Sequence, residues 1–356
     1  MSLDELRGKI DSLDARILEL LNERAKCAVD IGHIKRENNQ PYYVPERERE
    51  VFNRLIAKNE GPLPERAIKA IYREIMSATR ALEKPISVAF LGPRDTFSHM
   101  AAIRIFGAGA EYHPMAAVPD IFTEVERERI HYGVVPVETA MGGGVSDTLD
   151  RFLTSDLKIV NEVMLHIAQN LLSNGPFEEI QKIYSKAQVF VQCRNWLKAN
   201  LPHAEQIEAP STAEAARMAA SEKGAAAIAS ELAAETYNIG TLVAGIEDAA
   251  HNYTRFFVIS RQLAKPTGHD KTSILFSLKD KPGALYELLK PLAAEGVNMT
   301  RIESRPSRKK AWEYVFFVDM LGHAADPVLK HAIETISSHC NEFKILGSYP
   351  HGDVQR

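Results

Sequence analysis

Apolar residues recur every three or four positions through the first 34 residues of the chain, a period that predicts one long amphipathic helix. Ser2 and Glu5 have the spacing of a capping box at its start, and residues 38–41, Asn-Asn-Gln-Pro, indicate its end. The apolar series consists of Leu3, Leu6, Ile10, Leu13, Ile17, Leu20, Cys27, Ile31 and Ile34. We call this series the seam, and it predicts a packed helix face.

Two further helices are predicted in the same segment, one after Pro45 and one from about Pro64 to Leu82. Residues 1–84 are therefore expected to form an all-α domain. A segment of this size cannot bury the whole seam against itself, so a partner subunit is expected. Arg24 interrupts the seam, either with its guanidinium extended to solvent or as a buried cation for an anionic ligand.

The pattern changes after residue 84, where short apolar runs alternate with helical stretches up to about residue 265. Strand-like runs include 86–92, 182–186 and 225–230, and an alanine-rich helical stretch covers 211–222. This alternation predicts an α/β domain of two lobes around a cleft. Loops at the carboxyl ends of strands are where such domains bind ligands.

The last segment, 266–356, reads strand, helix, strand, strand, helix, strand, which predicts a ferredoxin-like βαββαβ domain. The predicted fold class is thus multi-domain: an all-α helical N-terminal domain, an α/β two-lobed middle domain and a ferredoxin-like C-terminal domain. The expected boundaries are 1–84, 85–265 and 266–356.

Composition narrows the function. The formal net charge is −4, which gives no electrostatic case for a nucleic-acid partner. Three cysteines, far apart along the chain, suggest neither a disulfide framework nor a zinc site. No apolar run is long enough to cross a membrane, and the N-terminus does not resemble a signal peptide. A cytoplasmic protein without metal or membrane is the expectation.

The first segment resembles the all-helical chorismate mutase family, through residues 6–35, 43–50 and 71–83. The resemblance implies intertwined subunits that share each active site, where chorismate rearranges to prephenate. It implies that Arg7, Arg24 and Arg47 bind the two substrate carboxylates. It also implies that Lys35 and Glu83 bind the ether oxygen, Glu48 a hydroxyl, and Thr79 a further polar group. Glu83 can donate a hydrogen bond only when protonated, so a raised pKa or mildly acidic pH should favour the step.

The middle segment resembles prephenate dehydratase over nearly its whole length, through six motifs in order: 92–102, 133–150, 184–193, 211–216, 226–237 and 252–259. The resemblance implies loss of the ring hydroxyl and carboxylate of prephenate, giving phenylpyruvate. Thr254 is then the key group near the leaving hydroxyl. The other cleft residues implied are Thr96, Ser98, Glu138, Thr139, Ser185, Gln192 and Arg255. Arg255 has two interpretations, a substrate ligand or an ion pair with neighbouring carboxylates, and His99 is either catalytic or a local hydrogen-bonding residue.

Several positions depart from the usual dehydratase pattern, and they cluster in the presumed cleft loops. They are Asp95 and Ala229 in place of glycine, Thr139 and Ala140 in place of an amide and a hydroxyl, and Lys186 in place of histidine. Drift within a working dehydratase is one account. The other is an altered cleft, either with different prephenate chemistry, such as decarboxylation without aromatisation, or with binding alone.

The last segment resembles the amino-acid-binding regulatory ACT domain. Two short stretches carry the likeness, Gly283, Ala284 and Leu285, and Glu303, Ser304, Arg305 and Pro306. The resemblance implies that they line a phenylalanine site between two such domains, although a plain dimerisation module is the alternative. The three resemblances together imply a homodimeric bifunctional enzyme of phenylalanine biosynthesis, inhibited by its end product and needing no cofactor.

Overall fold

The computed structural model describes residues 1–38, 43–140, 143–249, 252–278, 281–307 and 314–352. Residue contacts divide the chain into two compact units. The first contains Met1–Ser87 with Ile103–Glu111, and the second contains Val88–Ala102 with the described residues from Tyr112 onwards.

Three helices form the core of the first unit: α1 (Leu3–Glu37), α2 (Pro45–Ala57) and α3 (Glu65–Glu83). The predicted capping box of α1 is present, since the Ser2 backbone N–H donates to Glu5 at 2.7 Å and the Glu5 N–H donates to Ser2 Oγ at 3.2 Å. Asn38 caps the other end, and residues 39–41 lie outside the described part of the chain. The three predicted helices are confirmed.

The seam of α1 is solvent-exposed within this single chain. Leu3 is 63% exposed, Ile10 56% and Ile17 52%. An exposed apolar stripe of this length is costly in water and is typical of a surface that a partner covers. The residues of a single chain therefore do not cover the whole seam of α1.

The middle segment forms two lobes, each built on one sheet. Its elements are β1 (Ser87–Leu91), α4 (Phe97–Phe106), β2 (Glu111–Met115), α5 (Val118–Glu126), β3 (Tyr132–Thr139), β4 (Gly143–Gly144), α6 (Ser146–Phe152), β5 (Lys158–His166), β6 (Asn170–Leu172), β7 (Lys182–Ser185), α7 (Ala187–Gln192), α8 (Arg194–Asn200), β8 (Glu205–Glu208), α9 (Thr212–Ser221), β9 (Ala225–Ala229), α10 (Glu231–Thr236), β10 (Thr241–Val243) and β11 (Tyr253–Ser260). The first sheet has the order β2-β1-β3-β11-β5, with β4 paired to β3, and the second has the order β10-β6-β9-β7-β8. The two-lobed α/β prediction is confirmed.

The last segment has the predicted βαββαβ order. Its elements are β12 (Asp270–Ser277), α11 (Ala284–Ala294), β13 (Met299–Pro306), β14 (Tyr314–Leu321), α12 (Pro327–Ser338) and β15 (Glu342–Pro350). They form one antiparallel sheet in the order β13-β14-β12-β15. Its helices pack on one face through Leu288, Leu292, Leu329 and Ile333, as a ferredoxin-like fold requires.

The opposite face of this sheet shares a hydrophobic core with the first lobe of the middle segment. Phe317 and Tyr349 belong to the same buried cluster as Ile159 and Phe257. Gly347 of β15 lies so close to the backbone of Ile159 that a Cβ atom there would collide with it. The last segment is thus packed as a layer on the middle segment, without space for side chains at the closest crossing.

Within the described ranges, no helix is both long and apolar enough to cross a membrane. The same residues contain no group of three or more histidine, cysteine, aspartate or glutamate side chains placed to hold a metal ion.

Candidate functional site

The helical unit contains a cavity of about 450 Å³, which we call the helical pocket. Its lining combines five basic side chains with two acidic ones, so the cavity favours an anion. The lining consists of Arg24, Cys27, Ala28, Ile31, Lys35, Val44, Arg47, Glu48, Val51, Arg54, Leu55, Tyr72, Met76, Thr79, Arg80 and Glu83. Six of the seven residues predicted for this site are among them, although their roles remain predictions.

Arg7, the seventh, lies outside the helical pocket. Its side chain is 67% exposed and its partner is Asp4, one turn away. Arg7 and Lys35 are separated by about 40 Å along a straight helix at 1.5 Å per residue. One chain therefore cannot bring Arg7 into the pocket that contains Lys35.

Hydrogen bonds within the helical pocket hold the charged groups in place. Arg24 Nη1 donates to Thr79 Oγ1 at 2.9 Å, and Arg80 pairs with Glu48. Arg80 also donates to the carbonyl of Phe106 at 2.8 Å. Of the two interpretations of Arg24, a cation facing an anion-binding cavity is the one that its position favours.

Burial raises the pKa of Glu83, and the nearby cations Lys35 and Arg80 only partly offset that effect. The Nζ of Lys35 lies 3.9 Å from Glu83 Oε2, an atom that accepts no hydrogen bond from the residues described. Burial likewise raises the pKa of Glu48, against the opposing effect of Arg80. Both carboxyl groups are therefore protonated to a greater extent near neutral pH than exposed glutamates.

Gly32 of α1 makes room for Glu83. A Cβ atom at Gly32 would lie 2.8 Å from the Cγ of Glu83, closer than real Cβ contacts, and 3.0 Å from its Cβ, which is tighter than most of them. The glycine therefore determines how closely the carboxyl group approaches α1.

The second cavity, of about 240 Å³, lies between the two lobes of the middle segment, and we call it the cleft. Its lining comprises Leu91, Gly92, Pro93, Thr96, Phe97, Ser98, Pro136, Thr139, Ile167, Gln169, Lys186, Gln188, Val189, Gln192, Pro210, Ser211, Thr212, Asn252, Thr254 and Phe256. Its polar groups are mostly hydroxyls and amides, and Lys186 is the only residue with a formal charge among the described residues of this lining.

Strand alternation decides which residues of β11 reach the cleft. Thr254 and Phe256 line it, as does Asn252 just before the strand, whereas Arg255 does not. Thr139 of β3 is the direct cross-strand neighbour of Thr254. The unusual Thr139 therefore faces the cleft beside the residue expected to be most important there.

Arg255 faces the other side of the sheet and is buried among acidic groups. Its Nε donates to Glu162 at 2.7 Å and its Nη1 to Asp319 at 2.5 Å, while Glu138 lies 3.6 Å away. Burial disfavours the guanidinium charge, but Tyr349, Asp319 and Glu162 outweigh it and raise the pKa of Arg255. Of its two interpretations, the ion pair is found, and both Arg255 and Glu138 lie outside the cleft.

Two other predicted positions also lie outside the cleft lining. Ser185 is fully buried, and its hydroxyl donates to the carbonyl of Ile228 at 2.8 Å within the second sheet. Asp95 adopts φ 66° and turns towards His99, with 3.5 Å between its carboxylate and Nδ1. Asp95 is therefore absent from the cleft lining, which includes the predicted donors Thr96, Ser98 and Gln192.

His99 has the local role that the sequence left open. Its Nδ1 accepts a hydrogen bond from the backbone N–H of Asp95 at 3.1 Å, and its ring stacks on Phe90. Burial lowers the pKa of His99. The nearby Asp95 carboxylate opposes this shift, whereas the charge of Arg94 adds to it. The imidazole is therefore neutral near pH 7.

The residues predicted to bind an effector lie at the first helix and second strand of the last segment. Gly283 adopts φ 78° at the start of α11, where Ala284 and Leu285 follow. Along β13, Glu303 and Arg305 face inwards while Ser304 and Pro306 are exposed. Arg305 Nη1 donates to Ser146 Oγ at 3.0 Å, so β13 contacts the middle segment within the same chain.

Three polar lining residues that the sequence analysis did not predict show what signals were available. Arg80 lies on the face of α3 that also presents Met76, Thr79 and Glu83, a helical spacing that could have revealed it. Asn252 is two residues before Thr254, the spacing of one strand face. Gln169, which donates to Gln192 at 2.9 Å, follows no pattern that we recognise in the sequence.

Three family models match the chain in order. They are chorismate mutase type II over residues 6–84, prephenate dehydratase over 88–264 and the ACT domain over 272–337. A bifunctional chorismate mutase/prephenate dehydratase of Aquifex aeolicus is 49% identical over 99% of both chains. The corresponding enzyme of Escherichia coli K12 is 30% identical over 98% of this chain and 96% of its own. The crystal structure of prephenate dehydratase in complex with L-Phe from Arthrobacter aurescens superposes with a TM-score of 0.70, at 32% identity, over 76% of this chain and 92% of that one.

The packing of Gly32 against Glu83 gives a stability prediction. Gly32→Ala should lower the free energy of unfolding, because overpacking usually costs about 1–3 kcal/mol. The better helix propensity of alanine offsets at most about 1 kcal/mol of that cost. Gly8→Ala on the same helix is the matched control, because a Cβ there meets nothing within 4 Å. Urea unfolding followed by circular dichroism measures both, and equal effects would show that Gly32 does not constrain Glu83.

Proposed function

Because the chain belongs to the family of bifunctional chorismate mutase/prephenate dehydratases, we propose that its helical pocket is the mutase site and its cleft the dehydratase site. Members of this family carry both activities in one chain. The observation that supports the assignment is the separation of the predicted groups. Lys35 and Glu83 line the helical pocket, whereas Thr254 lines the cleft.

The helical pocket suits a unimolecular rearrangement of chorismate, which needs no nucleophile. Arg24 and Arg47 bind the substrate carboxylates, and Glu48 and Thr79 hold its polar groups. Lys35 and protonated Glu83 both direct protons at the ether oxygen, where negative charge develops as the C–O bond breaks. Restraining the reactive conformer supplies the remainder of the rate enhancement.

A homodimer completes this site. The exposed seam of α1 gives a second copy an apolar surface to cover, and Arg7 is too distant to act in its own chain's pocket. In the proposed dimer, Arg7 of one subunit binds a carboxylate in the pocket of the other. Three free cysteines without a disulfide are consistent with a reduced, cytoplasmic location.

The cleft suits the elimination of water and carbon dioxide from prephenate. Gain of aromaticity drives that reaction, so the protein needs only to orient the dianion and assist the departing hydroxyl. The hydroxyl of Thr254 donates a hydrogen bond to that leaving group, with Thr139 beside it on the neighbouring strand. Thr96, Ser98 and Gln192 supply further donors from both lobes.

The ACT segment provides end-product regulation in phenylalanine biosynthesis. Phenylalanine binds at the start of α11 and along β13, and inhibits because it binds better to the less active state. The L-Phe complex of the related Arthrobacter aurescens dehydratase supports this ligand.

The division of labour predicts the products of wild-type and mutant protein. Supplied with chorismate and assayed without acid, the wild type should form phenylpyruvate. Thr254→Val should accumulate prephenate, with the dehydratase kcat lowered about 100-fold or more, the usual cost of removing one transition-state donor. Thr241→Val, on the exposed β10, is the control. A non-aromatic decarboxylated product from the wild type would overturn the dehydratase assignment.

The raised pKa of Glu83 predicts a pH dependence of the mutase. Only the protonated carboxyl group donates to the ether oxygen, so kcat/KM should fall as pH rises through that raised pKa. Glu83→Gln donates at every pH and should make the profile flat between about pH 5 and 9. A wild-type profile that is already flat over this range contradicts the proposed role.

Lys186 should contribute to prephenate binding, because it brings the only formal charge among the described residues of the cleft lining. Lys186→Gln is expected to raise KM for prephenate about tenfold, since a hydrogen bond to a charged group contributes about 1.5–3 kcal/mol. Lys186→Arg should retain most of the affinity, and Lys198→Gln on α8 serves as the control for net charge. An unchanged KM in Lys186→Gln would show that the substrate carboxylates lie elsewhere.

A further inference from the structure

Arg255 connects the strand that presents Thr254 with the sheet of the ACT segment. Thr254 faces the cleft, and the adjacent Arg255 faces Asp319 of β14 at 2.5 Å. Both side chains of this ion pair are about 95% buried. Because the two residues share one peptide unit, a shift of the Arg255 backbone also shifts Thr254.

Arg255 donates hydrogen bonds to acceptors in both the middle segment and the ACT segment. Its Nε donates to Glu162 of β5, and its Nη2 donates to Tyr349 Oη of β15 at 3.1 Å. Ser273 of β12 donates to the second oxygen of Asp319 at 2.5 Å. The planar guanidinium is thereby held in one orientation by the dehydratase sheet and by three strands of the ACT sheet.

The fourth ACT strand, β13, contacts the loop that follows Glu138. Arg301 Nε lies 3.5 Å from Glu138 Oε2, and the carboxylate of Glu303 occupies the space that a Cβ of Gly144 would need. Arg305 Nε lies 3.4 Å from Asp150 Oδ1 at the end of the same stretch. The inward face of the proposed effector strand is thus in contact with residues 143–150.

We propose that Asp319 is a positioning residue of the dehydratase, which holds Thr254 in its catalytic place through Arg255. The ACT sheet is then a structural part of the dehydratase site as well as its sensor. A ligand that shifts β13 or β14 changes the support of Arg255, and by linkage the state of Thr254 changes the affinity for that ligand.

Elementary energetics explains why this support is sensitive. A buried guanidinium deprived of one carboxylate keeps its charge and reorients towards the remaining ones, Glu162 and Glu138. Displacement of a catalytic group by about 1 Å can lower a rate about 100-fold. The effect should therefore appear in kcat, because Arg255 and Asp319 do not line the cleft.

The test is Asp319→Asn in the full chain, which keeps the shape and removes the charge. We expect the dehydratase kcat to fall about 10- to 100-fold, with KM for prephenate and the mutase kcat within about twofold. Asp326→Asn is the control, since the hydrogen bond of Asp326 to the His323 N–H stays inside the ACT segment. A kcat equal to that of Asp326→Asn would overturn the proposal.

Tyr349→Phe is a milder second variant, should Asp319→Asn not fold. It keeps the ring in the shared core and removes the hydroxyl that contacts Arg255 and Ser273. We expect a two- to tenfold loss of dehydratase kcat, corresponding to about 0.5–1.5 kcal/mol for one hydrogen bond. A lower melting temperature with unchanged kcat would indicate a merely structural role and contradict the proposal.

The inference rests on the proposed dehydratase function, and the wild type separates the two. A wild type without dehydratase activity contradicts the function. An active wild type whose Asp319→Asn variant retains full kcat contradicts only the positioning role. Dehydratase kinetics with and without phenylalanine add a second readout, because bound phenylalanine should change prephenate turnover less in Asp319→Asn than in the wild type.

Discussion

The buried pairing of Arg255 with Asp319 and Glu162 is the interaction on which the dehydratase half of the molecule depends. A guanidinium cannot be buried without compensating charge, and here the compensation comes from two different sheets. Neither the middle segment nor the ACT segment neutralises the cluster alone, since Lys271 of β12 in turn pairs with Glu162 at 3.0 Å. The shared apolar core around Phe257 and Tyr349 surrounds this charged centre and excludes water from it. Together they join the two segments within one compact unit.

The two cavities solve different chemical problems with different electrostatics. In the proposed assignment, the five basic side chains of the helical pocket stabilise the negative charge that develops in the mutase reaction. The cleft is lined by neutral donors and one lysine, a lining suited to a substrate that loses a carboxylate as carbon dioxide. A strongly cationic cleft would stabilise that carboxylate in the ground state and so oppose its loss. The burial of Arg255 away from the cleft fits this requirement.

Much of the fold could be predicted from the sequence, because its signals are local. The long helix α1, its capping box and the βαββαβ order depend on period and spacing alone, and all three are confirmed. Strand β5 was not predicted, and with it the burial of Glu162 was missed, since an acidic residue in an apolar run does not reveal a partner 93 positions away. The same limit applies to Arg255, whose two interpretations are chemically equivalent until the facing strand is known. Asp95 and Ser185 carry the right chemistry for a cleft, but local backbone geometry turns one towards His99 and the other into the second sheet.

The close approach of Glu303 to Gly144 bears on how such proteins can be recombined. Glu303 fits only because Gly144 lacks a Cβ atom, and Arg305 donates to Ser146. These contacts join segments about 160 positions apart, so both segments must have compatible residues for β13 to fit. An ACT segment grafted from a distant relative would bring its own inward residues onto a loop selected for others. Chimeras should therefore exchange the dehydratase and ACT sequences as one block, with crossover points kept out of β3 to β15.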